Sequence, residues 1–289
     1  MSLARLRGEI LSHASHAVLH CYYGVESMLH PYLAPALARA VNTWMYEEWL
    51  SPEDALLGSA AIAPQDTDSA VEEVHRVADQ GRFVQILVPA SAREPYGSRR
   101  FWPIWQAAAE RGLAVAITAG GLSGTPPTPV NWMSSFFAQY ACESLGFASQ
   151  VNSLVFSGVF EEIPGLRFVL SESGWTWLPA CMWRLDWEWR AGHREVPWVQ
   201  APPSEYIRKH FRLTTQPTDG GTPAQLQEVI DQLDADSMLM YSTDFPHQSG
   251  SDPDSVLSGV GEAQRDRILW QNAAELYGLS AERLGEAAG

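Results

Sequence analysis

Short strand-like runs alternate with longer helix-like segments along almost the whole chain, and this alternation most constrains the fold. Seven runs have the length and apolar content of buried strands. They span residues 17–22, 56–62, 83–88, 114–118, 166–170, 211–215 and 238–241. Helical periodicity separates them, and strands alternating with helices at this interval predict a parallel sheet with helices outside it.

Two α/β architectures fit this alternation, a closed TIM-type barrel and an open doubly wound sheet. The open sheet usually binds a nucleotide through a glycine-rich turn, and neither G-x-G-x-x-G nor the P-loop pattern occurs in the sequence. The chain has 289 residues and no linker-like segment. We therefore predict one domain, residues 1–289, that forms an incomplete TIM-type (β/α)8 barrel with seven recognisable strands and one strand missing.

Charge and composition exclude several functions. The chain has 34 acidic and 19 basic side chains, a formal net charge of −15, which argues against nucleic acid and anionic membrane surfaces as partners. No apolar run approaches the roughly 18 residues of a membrane span, and no secretory signal is recognisable. The three cysteines, Cys21, Cys142 and Cys181, have no metal-ligand spacing. We expect reduced, buried thiols and a cytoplasmic protein.

The residues that follow the strands are the candidates for chemistry, because active sites of such barrels lie at the carboxyl ends of the strands. Asp244 follows the seventh strand and precedes Pro246 and His247, and Glu172 follows the fifth. Each carboxylate could bind a metal or move a proton. Each has a structural alternative, since Asp244 could cap a turn and Glu172 could stabilise a helix amino terminus.

These segments resemble a known family. Residues 154–186 contain Leu-Ser-Glu-Ser-Gly-Trp-Thr-Trp-Leu-Pro and Met-Trp-Arg-Leu-Asp, and residues 242–247 read Ser-Thr-Asp-Phe-Pro-His. Both are similar to motifs of the amidohydrolase-related metal-dependent hydrolases, in the branch that includes aminocarboxymuconate semialdehyde decarboxylase. Residues 82–85 and 272–278 also fit, so the resemblance extends from about residue 17 to residue 280.

The resemblance implies a TIM barrel with a divalent metal, usually zinc. The family's last-strand Asp ligand corresponds to Asp244, whereas its fifth-strand His ligand corresponds to Thr118, a poor zinc ligand. The catalytic His of the family corresponds to Glu172. The HxH motif of the family's first strand has no counterpart, so the seven strands correspond to the second through eighth. His20 is the residue we expect to join Asp244 as a rebuilt metal ligand.

Four residues near the strand ends are predicted to contact a substrate: Trp175, Trp177, Thr118 and His247. The resemblance implies a metal-dependent hydrolase or decarboxylase acting on a small organic acid or ring substrate. The alternative is a vestigial, non-catalytic barrel that binds a small molecule or pairs with another subunit, because the metal ligands are incomplete. A shortened version of a longer enzyme is a third explanation. The chain has twelve tryptophans, and aromatic residues are enriched at subunit contacts. Because members of the family it resembles are often dimers, we expect a homodimer.

Overall fold

The computed structural model describes residues 2–21, 24–25, 28–121, 125–126, 128, 130–233, 237–246, 253–257 and 260–279. The strands are β1 Ala17–Leu19, β2 Leu56–Ala61, β3 Phe83–Ser91, β4 Ala114–Gly121, β5 Phe168–Ser171, β6 Phe211–Thr214 and β7 Leu239–Met240. The helices are α1 Leu3–Glu9, α2 Leu33–Met45, α3 Thr67–Asp79, α4 Trp102–Glu110, α5 Phe136–Ala141, α6 Glu143–Ser157, α7 Val159–Glu162, α8 Leu178–Gly192, α9 Pro203–His210, α10 Pro223–Leu233, α11 Pro253–Val256, α12 Glu262–Asp266 and α13 Asn272–Tyr277. A π-helical turn, Tyr46–Leu50, extends α2, and another, Arg267–Gln271, joins α12 to α13.

The seven strands form one sheet in sequential order, β1 to β7, and each neighbouring pair is parallel. Helical segments connect consecutive strands, which is the arrangement that parallel pairing requires. The sheet curls into an incomplete TIM-type barrel of the α/β class. The predicted fold class and the predicted strand count in the described residues are therefore confirmed.

The pleat of the strands divides their side chains between two apolar layers. On β3, Ile86 and Val88 belong to the main core beneath the helices, whereas Leu87 between them belongs to a smaller cluster. That cluster faces the inside of the barrel and also contains Ala114, Ala116, Val169 and Met240. Both faces of the strands are thus buried, which explains why they read as nearly continuous apolar runs.

The third strand is longer than predicted. The predicted strand ends at residue 88, since the next residue is Pro89, but β3 continues to Ser91. Pairing with β2 ends at Ala61 opposite Leu87, so Pro89 needs no amide hydrogen for that neighbour and pairs only with Thr118 of β4. A proline is tolerated where one side of a strand has no ladder to complete.

Two other predicted elements differ from the structure. The sequence of residues 131–151 predicts one helix, but the structure has two, α5 and α6. Ser135 caps α5 by accepting a hydrogen bond from Ala138 N, and the chain bends at Cys142. The first strand ends at Leu19 instead of residue 22. By contrast, Thr222 and Gln225 predict a capping box at the start of α10, and it is present, since Thr222 Oγ1 accepts a hydrogen bond from Gln225 N.

The barrel is open between β1 and β7, which do not pair. The exposed edge of β7 is covered from within the chain. The side chain of Asn272 donates to Leu239 O at 2.7 Å, and Tyr241 N donates to Ile268 O at 2.9 Å. These contacts satisfy backbone groups that an eighth strand would otherwise pair, so the edge is not left exposed.

Among the described residues, no helix combines the length and the apolar character needed to cross a membrane. The cysteines Cys21, Cys142 and Cys181 are not joined by disulfides. All three are partly exposed, so the expectation that they are fully buried is wrong.

Candidate active site

A cavity of about 1110 Å³ occupies the inside of the barrel and the opening between β1 and β7. Polar side chains line its wall: Gln85 lies within β3, whereas His20, Glu172, Thr214 and Asp244 lie at or beyond the carboxyl ends of their strands. Apolar side chains of α1, α2 and the second π-helical turn line the opening. The cavity therefore has its polar groups where the active sites of such barrels lie.

Glu172 and Asp244, the two predicted catalytic residues, share an unusual backbone conformation. Glu172 follows β5 directly with φ 62°, and Asp244 lies four residues beyond β7 with φ 52°. Non-glycine residues rarely adopt this left-handed conformation, which costs about 1–3 kcal/mol and is concentrated at functional sites. The structure brings both carboxylate residues to the wall of one cavity and holds each in a strained backbone.

A chain of hydroxyl groups links the ends of β5, β6 and β7. Thr214 Oγ1 accepts a hydrogen bond from Glu172 N at 3.0 Å and donates to Gln216 O at 3.1 Å. Ser242 Oγ accepts from Gln216 N at 3.0 Å, and Ser242 N donates to Thr215 Oγ1 at 3.1 Å. These bonds fix the segments that carry the two carboxylates relative to each other. Sequence reasoning missed Thr214 and Thr215.

Asp219 holds the turn that follows Glu172. Its Oδ2 accepts hydrogen bonds from Trp175 N, Thr176 N and Thr176 Oγ1, each at 2.9 Å. Gly174 makes this approach possible, because a Cβ at that position would lie 2.8 Å from Asp219 Oδ1. A carboxylate that accepts three such bonds is a strong restraint on the backbone. Asp219 lies 44 residues from Trp175 in sequence, and no local motif indicated the contact.

Three of the predicted substrate-binding residues, Trp175, Trp177 and Thr118, do not belong to the described lining of the cavity. Trp175 is 1% exposed and packs in the main core, where a ligand has no access to it. Trp177 packs against the same core and donates its Nε1 hydrogen to Ser173 O at 3.0 Å. Thr118 is 4% exposed on β4. His247 lies outside the described residues.

His20, which follows β1, lies open to the cavity, and its Nε2 is 3.0 Å from Gln85 Nε2. Although His20 is open to the cavity, the protein atoms packed around its ring disfavour the charged form and lower the pKa of His20 to about 4, while the negative charge of Asp244 acts in the opposite direction. The imidazole is therefore neutral at pH 7. The charge of Asp244 acts on the ring, and both of these predicted metal ligands line the same cavity.

Tyr140 on α5 is a further polar group near the carboxylates. Burial raises the pKa of Tyr140, and the negative charges of Asp244, Glu143, Glu172 and Asp219 raise it further. This phenol therefore stays protonated at neutral pH and is a hydrogen-bond donor. Sequence reasoning missed it because residues 131–151 were predicted only as a helix and carry no motif that indicates a site.

The described residues do not fit a complete metal site. Among them, no group of three or more His, Cys, Asp or Glu side chains is arranged to hold a metal ion. A catalytic zinc needs about three protein ligands. His20 and Asp244 both line the cavity, but no third described donor completes a site with them. The rebuilt metal site expected from His20 and Asp244 is therefore incomplete in this part of the chain.

The chain is similar in sequence and in fold to several known decarboxylases. The chain is 29% identical to the gamma-resorcylate decarboxylase of Rhodococcus jostii, covering 89% of this chain and 84% of that protein. It is 26% identical to the gamma-resorcylate decarboxylase of a Polaromonas species, covering 89% and 85%. A crystal structure of dihydroxybenzoic acid decarboxylase from Polaromonas, with bound manganese and 2-nitroresorcinol, has a TM-score of 0.77 at 24% identity, covering 97% and 86%.

The likeness to that crystal structure concerns the fold, and it agrees with the curled sheet of seven parallel strands. Evidence for the family comes from a sequence model described as amidohydrolase, which matches residues 4–279. That range contains all seven strands and every candidate site residue named above. The chain belongs to the amidohydrolase family.

Proposed function

We propose that this protein is a non-oxidative decarboxylase of a small hydroxylated aromatic acid. The observation that carries the proposal is the pair of carboxylate residues, Glu172 and Asp244, held in left-handed backbone on the wall of one cavity. The relatives described as gamma-resorcylate decarboxylases support this reaction over hydrolysis and over the non-catalytic alternative. The cavity is also large enough for a single aromatic ring with its substituents.

The reaction needs a proton at the ring carbon that carries the carboxylate. Once that carbon is protonated, the bond to the carboxylate breaks, its electron pair restores the aromatic ring, and CO₂ leaves. We assign delivery of the proton to Glu172, with water restoring the acid afterwards. Asp244 faces the same space and either accepts a proton or binds a cation. Thr214 holds the backbone of Glu172 in position.

We propose no role for a metal ion in the reaction, and the assay measures whether one is needed. The family resemblance implies zinc, and the Polaromonas decarboxylase was crystallised with manganese. Because the described residues do not form a three-ligand site, we assign no step to a metal. The assay is therefore run with chelator, with Mn²⁺ and with Zn²⁺.

The experiment measures conversion of 2,6-dihydroxybenzoate to resorcinol by the wild type, Glu172→Gln and Asp244→Asn. We expect Glu172→Gln to lower kcat about 100-fold or more with little change in KM, because it removes the proton donor and keeps the shape. Glu110→Gln is the matched control, since Glu110 ends α4 on the surface. A wild type that converts no hydroxybenzoate under any metal condition, or Glu172→Gln with full activity, contradicts the proposal.

Assembly, organisation and location are also proposals. We propose a homodimer because large aromatic side chains are exposed on two helices, Phe136 and Phe137 on α5 and Trp183 and Trp187 on α8. Light scattering on the eluted protein measures the mass directly, and a mass of one chain at micromolar concentration contradicts it. A single domain over residues 1–289 and a cytoplasmic location stay predictions.

A further inference from the structure

Gln85 on β3 is a buried amide inside the barrel with a partner for each of its polar groups. It is 1% exposed. Its Nε2 lies 2.8 Å from Ser59 Oγ and 3.0 Å from His20 Nε2, and its Oε1 accepts a hydrogen bond from the hydroxyl of Tyr277 at 2.8 Å. This network connects β2, β3 and α13 to the residue that follows β1.

The orientation of this amide follows from counting donors and acceptors. With Nε2 towards Ser59 and His20, its two hydrogens have two acceptors and Oε1 receives the Tyr277 hydroxyl. The reversed amide would direct its NH₂ group at Tyr277 alone, so one hydrogen would lack a described partner. A buried donor without a partner costs about 1–3 kcal/mol. The orientation in which Gln85 donates to His20 is therefore preferred.

The donated hydrogen bond determines which nitrogen of His20 carries its proton. Nε2 accepts from Gln85 and so has no hydrogen, and the proton of a neutral imidazole is then on Nδ1. Among the described residues, Nδ1 has no hydrogen-bond partner of its own. Because His20 lies open to the cavity, its remaining polar group is an N–H donor available to a ligand.

We propose that Gln85 is a positioning residue that fixes His20 as the Nδ1–H tautomer, so that His20 donates a hydrogen bond to a carboxylate or phenol oxygen of the ligand and does not bind a metal. A metal ligand needs a lone pair, but the lone pair of Nε2 is directed at Gln85 and Nδ1 carries a hydrogen. The nature of the ligand rests on the proposed function, whereas the tautomer does not.

The tautomer can be read directly from the nitrogen chemical shifts and long-range couplings of histidine labelled with ¹⁵N. The chain has eight histidines, and loss of one signal set in His20→Gln assigns His20. His210 is an internal reference, because its Nδ1 lies 2.8 Å from Leu166 O, a group that only accepts. We expect His20 to show the Nδ1–H pattern at neutral pH. An Nε2–H pattern in the wild type overturns the proposal.

Variants of Gln85 and Tyr277 test whether Gln85 determines the tautomer of His20. Gln85→Leu removes the donor, so we expect His20 to move to the Nε2–H form that free histidine prefers, with His210 unchanged. Tyr277→Phe removes the hydroxyl that orients the amide, and we expect a mixture of tautomers. Tyr277→Phe also tests the role of Gln85 if Gln85→Leu does not fold. A folded variant of either kind that keeps a pure Nδ1–H His20 contradicts the role of Gln85.

Two additions test what His20 binds. Zn²⁺ alone should leave the Nδ1–H signals of His20 unchanged, and their replacement by those of a coordinated nitrogen overturns the proposal. Saturation with 2,6-dihydroxybenzoate should shift the Nδ1–H signal, and binding measured by calorimetry without such a shift contradicts the donor role. If the acid does not bind at all, the proposed function fails, and the tautomer is judged on the spectrum of the free protein.

Discussion

Glu172 has a left-handed backbone conformation that destabilises the fold, so its side chain is explained by function and not by stability. A residue chosen for stability alone at φ 62° would be glycine, which has no Cβ to strain this conformation. Glu172 lies there next to the cavity, where its carboxylate is useful. The strain is then stored in the native state because a function needs the side chain.

Substitution of Glu172 by glycine and by alanine tests this interpretation. Both variants lose the carboxylate, so both should lose decarboxylation equally. At an ordinary position alanine is the more stable of the two, but at φ 62° we expect glycine to be more stable by about 1 kcal/mol. Urea unfolding measures the difference. An alanine variant as stable as the glycine variant would show that the backbone is not strained in solution.

His210 at the end of α9 is a second residue whose environment favours the neutral form. It is fully buried, and its ring stacks on Phe160 with centroids 4.2 Å apart. Burial lowers the pKa of His210 to about 4, and the hydrogen bond to Leu166 O opposes this shift. Among charged neighbours, Arg167 and Lys209 lower the pKa further and Glu161 raises it.

Because the pKa of His210 is lower in the folded chain, the unfolded chain binds a proton first as the pH falls. His210 therefore does not lower the free energy of unfolding above about pH 6.5. Between about pH 6.5 and about pH 4 it lowers that free energy progressively, by at most about 3 kcal/mol. His210→Phe removes the titration and keeps the stacked ring. We expect urea unfolding of the variant to lose less stability over this range than the wild type. Equal losses would contradict the prediction.

The turn between β5 and α8 shows how an element is held by a residue far away in sequence. Asp219, in the segment after β6, accepts three hydrogen bonds from Trp175 and Thr176. The approach is possible only because residue 174 is glycine, with φ 62°. The turn positions the segment that follows Glu172, so its geometry contributes to the site.

Gly174→Ala and Gly81→Ala form a matched pair for this turn. Both glycines have positive φ, 62° and 66°, so both substitutions introduce the same backbone strain. A Cβ at Gly81 meets no atom within 4 Å, whereas one at Gly174 meets Asp219 Oδ1 at 2.8 Å. We expect Gly174→Ala to cost about 1–3 kcal/mol more in urea unfolding, and to lower kcat. Equal costs would show that the Asp219 contact does not restrain the turn.

The parts of this architecture that sequence could predict are those determined by local pattern. Buried parallel strands are short apolar runs, and Asp244 and Glu172 were found because each follows such a run. The partners of those residues were not found, because Asp219 and Thr214 reach the site from a separate strand end. Trp175 was misjudged as a cavity residue, since sequence does not tell which side of a helix start faces the core.

At the scale of the whole molecule, the open side of the barrel determines access to the cavity, and the net negative charge of the chain determines the electrostatic potential that a ligand meets there. The open side between β1 and β7 makes the interior accessible, and Asn272 covers the edge that would otherwise be exposed. The chain carries a net charge of −15. Within the described lining, Asp244 adds negative charge, as does Glu172 whenever it has given up its proton, and the guanidinium of Arg265 is paired with Asp254. An aromatic acid therefore approaches an unfavourable potential.

This potential predicts an unusual salt dependence. Raising ionic strength from about 0.01 M to about 0.15 M shortens the screening length from about 30 Å to about 8 Å, so repulsion of the substrate weakens. We expect kcat/KM for 2,6-dihydroxybenzoate to rise several-fold over this range, mainly through a lower KM. Inhibition by resorcinol, a neutral molecule of similar shape, should hardly change and serves as the control. If kcat/KM falls as salt is added, attraction dominates, and a bound cation in the cavity becomes the explanation to test.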